Sequence, residues 1–326
     1  MFVYMGRKIM AFLFFMLLLS AFVFTLSRLA PGDPLQSFYG DRVEHMSMVE
    51  QQEARARLGL DASLPVQYAK WLGNALQGDF GISFKYRQPA INILGALLGN
   101  TLLLGFSAYL LVFLLAILLA VFCALHEDSW ADQIICKLGT IVYYLPTFWL
   151  GLLLLLLFSV NLQWLPSGGA YDVGQAENMR NRLQHMVLPL TVMVTSHLWY
   201  YAYMIRNKLL DEARQDYVLL AKVKGLTRPQ IVWRHCLRNV APSIISIMAI
   251  SVTHVLGGTY VVEAVFSYPG IGALSIESAK YHDYNVLMLV VLLTGAVVIL
   301  SSLLAQAINE CIDPRMQAGE ADDGEK

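Results

Sequence analysis

The feature that most constrains this chain is a set of six long stretches without Asp, Glu, Lys or Arg. As a helix, an uncharged stretch of about 18 residues or more crosses the hydrocarbon core of a bilayer, which is about 30 Å thick. We therefore predict an all-α, polytopic membrane protein with six transmembrane helices. The predicted spans cover approximately residues 9–27, 100–125, 138–165, 186–205, 240–262 and 286–309.

The composition agrees with a membrane protein. Hydrophobic residues make up 57% of the 326 residues and charged residues only 14%, whereas a soluble protein carries about 25% charge. The net charge of −1 gives no reason to expect a nucleic-acid partner. Four cysteines lie in or beside apolar spans or in a charged stretch, and none lies in the polar segment 31–98, so we interpret them as unpaired thiols. They are Cys123, Cys136, Cys236 and Cys311.

The distribution of basic residues predicts the orientation, because cytoplasmic loops carry an excess of Lys and Arg. Basic residues precede the first span, at Arg7 and Lys8, and recur from Arg206 to Arg238. We therefore expect both termini and the 206–238 region to be cytoplasmic. The first apolar run is longer than that of a secretory signal peptide and no A-x-A site follows it, so we expect it to remain as a span.

The expected domain organisation follows from these spans. The first span, 1–30, stops at Ala30-Pro31-Gly32-Asp33-Pro34, because two prolines and a glycine cannot continue a helix. An extracytoplasmic insert, 31–98, is expected to be helical, with its second half along the outer membrane surface. A core of five spans, 99–310, and a cytoplasmic tail, 311–326, complete the chain.

The most charged part of the chain, Asp211–Pro242, lies between two apolar spans. Gly225 is placed to end a helix as a C′ glycine, and Thr227-Arg228-Pro229-Gln230 predicts a capping box that starts a second helix. The result is a helix–glycine–helix elbow at 209–238, able to transmit a push from a cytoplasmic motor. An ordinary basic inner loop is the alternative. Apolar and small residues at helical spacing predict that the first helix runs from Asp211 to Lys224 with one shared face, formed by Ala213, Tyr217, Leu220, Ala221 and Lys224.

Nine short motifs occur in a fixed order over roughly residues 7–316. They are Ala30-Pro31-Gly32-Asp33-Pro34, Leu58-Gly59-Leu60-Asp61, Leu64-Pro65-Val66-Gln67-Tyr68, Gly78-Asp79-Phe80-Gly81-Ile82-Ser83, Asn100-Thr101-Leu102, Trp164-Leu165-Pro166-Ser167-Gly168-Gly169, His185-Met186-Val187-Leu188-Pro189, Glu263-Ala264-Val265-Phe266-Ser267-Tyr268-Pro269-Gly270-Ile271-Gly272 and Asp313-Pro314-Arg315.

With these motifs the chain resembles the permease subunit of a bacterial ATP-binding-cassette importer, in the binding-protein-dependent branch that takes up peptides and nickel. The resemblance implies a type I importer permease fold in the cytoplasmic (inner) membrane. It implies a second homologous permease subunit, two ATP-binding subunits, an extracytoplasmic solute-binding protein and surrounding lipid as partners, with no nucleic acid. No G-x-x-x-x-G-K-[ST] motif occurs, so ATP and Mg are expected on the partner subunits. This chain is expected to bind no cofactor and to catalyse no reaction.

The elbow resembles the coupling motif of that family, which docks into a groove on the ATPase subunit. The Ile-x-Leu-Pro ending of sugar importers is missing, as it is in the peptide and nickel branch. We also expect the small residues of the motif to let another protein approach closely. The motif reads Asp216-Tyr217-Val218, Ala221-x-x-x-Gly225-Leu226 and His235-x-Leu237-Arg238-Asn239. The residues expected to couple to the ATPase are Asp216, Tyr217, Ala221, Lys224, Gly225 and Leu226.

Candidate residues of the translocation pathway or gate lie in the later spans. His254 shares a helix face with Gly258, and that face either lines the route or packs on a neighbouring helix. Glu263 is expected at the outer boundary, where it either makes a structural hydrogen bond or shapes the outer gate. The run that starts at Pro269 and Gly270 predicts a bent or re-entrant segment, because it cannot form a regular helix.

The cargo is left open between nickel, or a metal chelate, and di- or oligopeptides. Imidazole suits nickel, so His197 and His254 are candidate metal ligands, although a lone histidine more often bonds a neighbouring helix. The segments 158–166 and 81–84 resemble the nickel members more closely. Two remote alternatives are a pore-forming protein and an intramembrane hydrolase. The hydrolase rests on Ser196-His197 and Ser251-x-x-His254, but adjacent helix residues do not face each other and no G-x-S-x-G motif occurs.

Overall fold

A computed structural model describes residues 2–29, 35, 39–58, 60–83 and 85–312. Within these ranges the regular structure is helical, apart from one isolated bridge between Ile82 and Pro89. The prediction of an all-α protein is therefore confirmed. Met1, residues 30–34 and 36–38, Gly59, Phe84 and the tail from 313 lie outside the described residues, and so do the motif positions predicted there. The chain divides into two compact units, Met1–Thr101 with Pro269–Leu300, and Leu102–Tyr268 with Ser301–Lys326.

The first unit contains an N-terminal apolar helix, a set of short helices and two later helices. A 3₁₀ turn covers Gly40–His45 and precedes two of the short helices. The helices are α1 (Phe2–Leu29), α2 (Met48–Leu58), α3 (Leu64–Ala75), the start of α4 (Ala90–Leu125), α11 (Ile271–Lys280) and most of α12 (Tyr284–Ile312). The predicted insert is thus helical, but its last residues belong to α4, which begins at Ala90 rather than near residue 99.

The loop before α4 is bonded to α11 and to the start of α12. The hydroxyl of Ser83 donates to Asp283, and the ammonium of Lys85 pairs with Glu277. The amide of Asn285 donates to the carbonyl of Ile82 over 2.9 Å. The 78–83 motif therefore fixes the end of the insert to helices that come some 200 residues later in the chain.

The second unit holds the remaining helices around two apolar cores. The helices are α5 (Trp130–Tyr143), α6 (Thr147–Leu154, continued by a π-helical turn to Asn161), α7 (Met179–Ala213), α8 (Asp216–Val223), α9 (Arg228–Ile231) and α10 (Leu237–Val265). A π-helical turn, Val232–Cys236, joins α9 to α10, so the chain is helical from Arg228 to Val265. One core joins α4, α7, α8, α9 and α10, and the other joins α4, α7 and α10.

The predicted count of six spans is not confirmed. Four helices in the described residues are long and apolar enough to cross a membrane, and α5 with the α6 segment adds a fifth only if this pair, bent by 96°, counts as one span. The third predicted span is therefore sharply bent, with Pro146 at the break. The fourth predicted span lies within α7, which is not among these helices because polar and aromatic side chains interrupt its apolar run.

Candidate functional site

The elbow turns at Gly225, which has a φ of +80°. The amide of Gly225 donates to the carbonyl of Lys222 over 2.9 Å, and the amide of Leu226 donates to the carbonyl of Ala221 over 3.2 Å. These two bonds form a Schellman motif, which satisfies carbonyls at the end of α8. The predicted role of Gly225 as a helix-ending glycine is confirmed.

The second arm of the elbow starts with the predicted capping box. The backbone amide of Thr227 donates to Oε1 of Gln230 over 3.0 Å, which satisfies a donor at the helix start. The predicted extent of the first arm was wrong, because residues 211–213 belong to α7. The chain then turns at Arg214, the backbone of Gln215 is extended, and α8 begins at Asp216.

One face of α8 packs on the core of the unit. Val218 and Ala221 are buried there, so the expectation that Ala221 lets another protein approach closely is wrong. The hydroxyl of Tyr217 donates to Oε1 of Glu212 over 2.8 Å, and the amide of Asn239 donates to the same oxygen over 3.0 Å. Burial, with the bond to Glu212, raises the pKa of the Tyr217 phenol, so this group remains a donor.

The opposite face of α8 is apolar and open. Leu219, Leu220 and Val223 are 63%, 55% and 79% exposed. Their i, i+1, i+4 spacing places them together on the outer side of the helix, beside the exposed Lys224 and Gly225. Sequence reasoning did not name Leu219 and Val223, and it placed Leu220 on one face with Ala221, which the structure separates into an exposed and a buried residue. The sequence signal that could have indicated this face was the presence of these three large apolar residues in the most charged segment of the chain.

Two arginines tie the elbow to the end of α4. The guanidinium of Arg228 donates to the carbonyl of Ala124 over 2.9 Å and to Oε2 of Glu127 over 3.2 Å. Arg214 donates to Oε1 of Glu127 over 3.2 Å. Glu127 therefore receives one arginine from each side of α8, an arrangement that sequence reasoning did not find. The elbow is thus joined both to α10, through continuous helix, and to α4.

The candidate pathway residues on α10 have different surroundings. His254 is exposed, whereas Gly258 packs against His197 of α7, so closely that a Cβ on Gly258 would lie 2.8 Å from Cε1 of the imidazole. Gly258 therefore belongs to a helix contact. Glu263 is fully buried within the protein, so the expectation that its position carries little cost of burial is wrong. Its backbone carbonyl accepts from the amide of Tyr268 over 2.9 Å.

The C-terminal part of the irregular segment, Pro269 and Gly270, belongs to the first unit. The carbonyl of Pro269 accepts from the side-chain amide of Asn100 over 2.8 Å, and the amide of Ile271 donates to Oγ1 of Thr101 over 2.8 Å. The break in the helices covers residues 266–270, so the predicted irregular backbone is found at Pro269 and Gly270, whereas Ile271 and the following glycine belong to α11. The motif that contains Asn100 and Thr101 is thus hydrogen-bonded to the motif that contains Pro269 and Ile271.

The described residues contain no group of three or more His, Cys, Asp and Glu side chains that could hold a metal ion. Nδ1 of His197 lies 2.8 Å from the carbonyl of Met193, so this nitrogen carries the proton. It therefore cannot accept a proton from Ser196, whose hydroxyl donates to the carbonyl of Val192 over 2.8 Å. The Ser196 hydroxyl lies 3.2 Å from Nδ1 of His197, but because that nitrogen is a donor the pair cannot act as nucleophile and base.

Two family models together match nearly the whole chain. The family described as "Binding-protein-dependent transport system inner membrane component" matches residues 116–318, and its N-terminal counterpart matches residues 1–105. The chain is 33% identical to "Oligopeptide transport system permease protein AppB" of Bacillus subtilis (strain 168), over 90% of this chain and 92% of the relative. It is 32% identical to "Di/tripeptide transport system permease protein DppB" of Pseudomonas aeruginosa (strain UCBPP-PA14), with coverages of 90% and 92%.

A solved structure shares the fold. The chain superposes on an inward-facing structure of the MetNI methionine ABC transporter with a TM-score of 0.52 and 16% sequence identity. The match covers 67% of this chain and 97% of the other.

Proposed function

The chain belongs to the family of binding-protein-dependent transport system inner membrane components, and from this premise we propose that its cargo is a short peptide. It is a permease subunit of an ABC importer and a multi-pass inner-membrane protein, and it is not an enzyme. The curated relatives named above are described as permeases for oligopeptides and for di- and tripeptides. Nickel, which two segments of the sequence favoured, draws no support from these relatives.

The family implies ATPase and substrate-binding partners for this permease. We propose that two ATPase subunits and a second permease subunit complete the importer. We also place both termini and the elbow in the cytoplasm and residues 31–98 outside. The uneven distribution of Lys and Arg supports this orientation, because the elbow lies in the most basic loop of the chain.

The observation that carries the coupling role is the open apolar face of α8. Burying three such side chains under an ATPase contributes about 1.5–3 kcal/mol each before the cost of association, so this face is suited to anchor a partner. A displacement of α8 then passes into α10 through the continuous helix after Arg228, and into α4 through Glu127 and Ala124. The elbow therefore works as a lever with two connections to the membrane helices.

Binding of the cognate ATPase subunits to membrane vesicles tests the coupling face and its orientation together. We expect inside-out vesicles that contain this permease to bind the ATPase subunits, and right-side-out vesicles not to bind them. Leu220→Asp places a charge in the apolar face and should weaken binding by about tenfold or more, since one buried side chain is lost. The matched control is Leu76→Asp, at a leucine that is 81% exposed in the first unit. Unchanged binding to Leu220→Asp vesicles, or binding to right-side-out vesicles, contradicts the proposal.

A further inference from the structure

A cavity of about 500 Å³ lies in the second unit, among α4, α5 and α7. Pockets that bind small molecules have volumes of about 300–1,000 Å³, so this one has room for a ligand of that class. Its wall is largely aromatic, with small residues between the rings. The aromatic residues are Tyr143, Tyr144, Trp199, Tyr200 and Tyr203.

The polar atoms of this aromatic wall lack partners within the described protein. Nε1 of Trp199 is buried and makes no hydrogen bond. None of the four tyrosine hydroxyls takes part in a hydrogen bond among the described residues. The ring of Trp199 lies over Gly139, where a Cβ would come within 2.6 Å of Cε3. The sequence therefore keeps space for the indole beside the cavity and leaves the four phenol hydroxyls without a partner in the described protein.

The charge at the cavity is asymmetric. Arg206 lines it, whereas its ion-pair partner Asp132 does not. Nε of Arg206 donates to Oδ1 of Asp132 over 2.8 Å. The side chain of Asp132 is 2% exposed and that of Arg206 is 14% exposed, so the guanidinium is the side of the pair that a ligand meets. An anionic group of the ligand is expected at this end.

A hydrocarbon tail makes little use of this wall, because it offers no acceptor to the phenol hydroxyls and no partner to the guanidinium. A peptide fits it well. Backbone carbonyls accept from the phenols, an apolar or aromatic side chain packs on the rings, and a terminal carboxylate meets the guanidinium. We propose that the cavity is a subsite for the C-terminal residues of a peptide in transit, an inference that rests on the proposed peptide cargo.

Protection of an engineered thiol tests this subsite in the assembled transporter, placed in nanodiscs so that the probe reaches both sides. Thr140→Cys reports from the cavity, since Thr140 lines it and is exposed. Leu138→Cys is the matched control, because Leu138 is 53% exposed on the same helix but does not line the cavity. Maleimide labelling is read at each cysteine by mass spectrometry, so the native cysteines stay in place.

We expect the dipeptide Ala-Phe to slow labelling of Thr140→Cys by about fivefold or more while labelling of Leu138→Cys is unchanged. The C-terminal amide of the same dipeptide should protect much less, because it lacks the carboxylate. Unchanged labelling of Thr140→Cys in a transporter that takes up Ala-Phe overturns the subsite and leaves the proposed function standing. Equal slowing at both positions also overturns it, and equal protection by the amide overturns the carboxylate assignment.

A conservative change in the wall gives an independent test. Tyr200→Phe removes the hydroxyl but keeps the ring, and it should raise the concentration of Ala-Phe needed for half-maximal protection by about fivefold. Tyr171→Phe, at a tyrosine that is 38% exposed, close to the 39% of Tyr200, and does not line the cavity, should leave that concentration unchanged. An unchanged value for Tyr200→Phe contradicts the role of the phenols. A wild-type transporter without any peptide uptake contradicts the proposed function itself.

Discussion

Gly225 holds the left-handed conformation at the turn of the elbow, and a Cβ at this position would meet no atom within 4 Å. The strain of a side chain here is therefore conformational, about 1–2 kcal/mol for a β-branched residue, with no clash inside the chain. Any further effect of bulk must come from a partner. Substitutions at Gly225 can therefore distinguish the effect of backbone strain from the effect of bulk at a contact with a partner.

Gly225→Val should abolish stimulation of the ATPase subunits while the chain still inserts in the membrane. Gly225→Asn should retain more stimulation, since Asn adopts the left-handed region more readily. Gly174→Val is the matched control, because Gly174 has a φ of +81° and equally open surroundings in another loop. ATPase activity of the reconstituted transporter measures the effect. Normal stimulation with Gly225→Val, or equal loss with Gly174→Val, contradicts a contact at this turn.

At the scale of elements, α8 shows what local sequence can and cannot predict. The glycine turn and the capping box were predicted correctly, because both depend on a few neighbouring residues. The burial of Ala221 and the exposure of Leu220 were not, because they depend on the core formed with α4, α7 and α10. The bonds to Glu127 depend on residues about 90–100 positions away, so no local pattern indicates them.

Glu127→Gln should partly uncouple ATP hydrolysis from transport, because it replaces the carboxylate whose two oxygens accept from Arg214 and Arg228 with a neutral amide. Both arginines are more than half exposed, so the change in stability should stay under about 1 kcal/mol. The measurement is the number of ATP molecules hydrolysed per peptide transported, which should rise. Glu53→Gln, which removes the exposed pair with Arg57 on α2, is the control. An unchanged ratio in Glu127→Gln shows that α4 does not receive motion through this contact.

At the scale of the whole molecule, the family and the all-α class were predictable because nine short motifs occur in order along the chain. The number of spans stays a prediction, since the third predicted span is bent by 96° at Pro146 and the fourth lies in α7, whose apolar run is interrupted by His197 and Trp199. The burial of Glu263 could not be predicted, because it depends on helices that pack around α10. The cargo was not predictable either, because peptide and nickel permeases share these motifs.

The most direct test of the account is uptake by the complete importer in proteoliposomes, with the binding protein on the outside and ATP on the inside. A labelled dipeptide and radioactive nickel are offered separately, and both are normalised to inserted permease. We predict that the dipeptide accumulates only with ATP and that nickel stays at the level found without ATP. ATP-dependent accumulation of nickel without accumulation of the dipeptide would contradict the account.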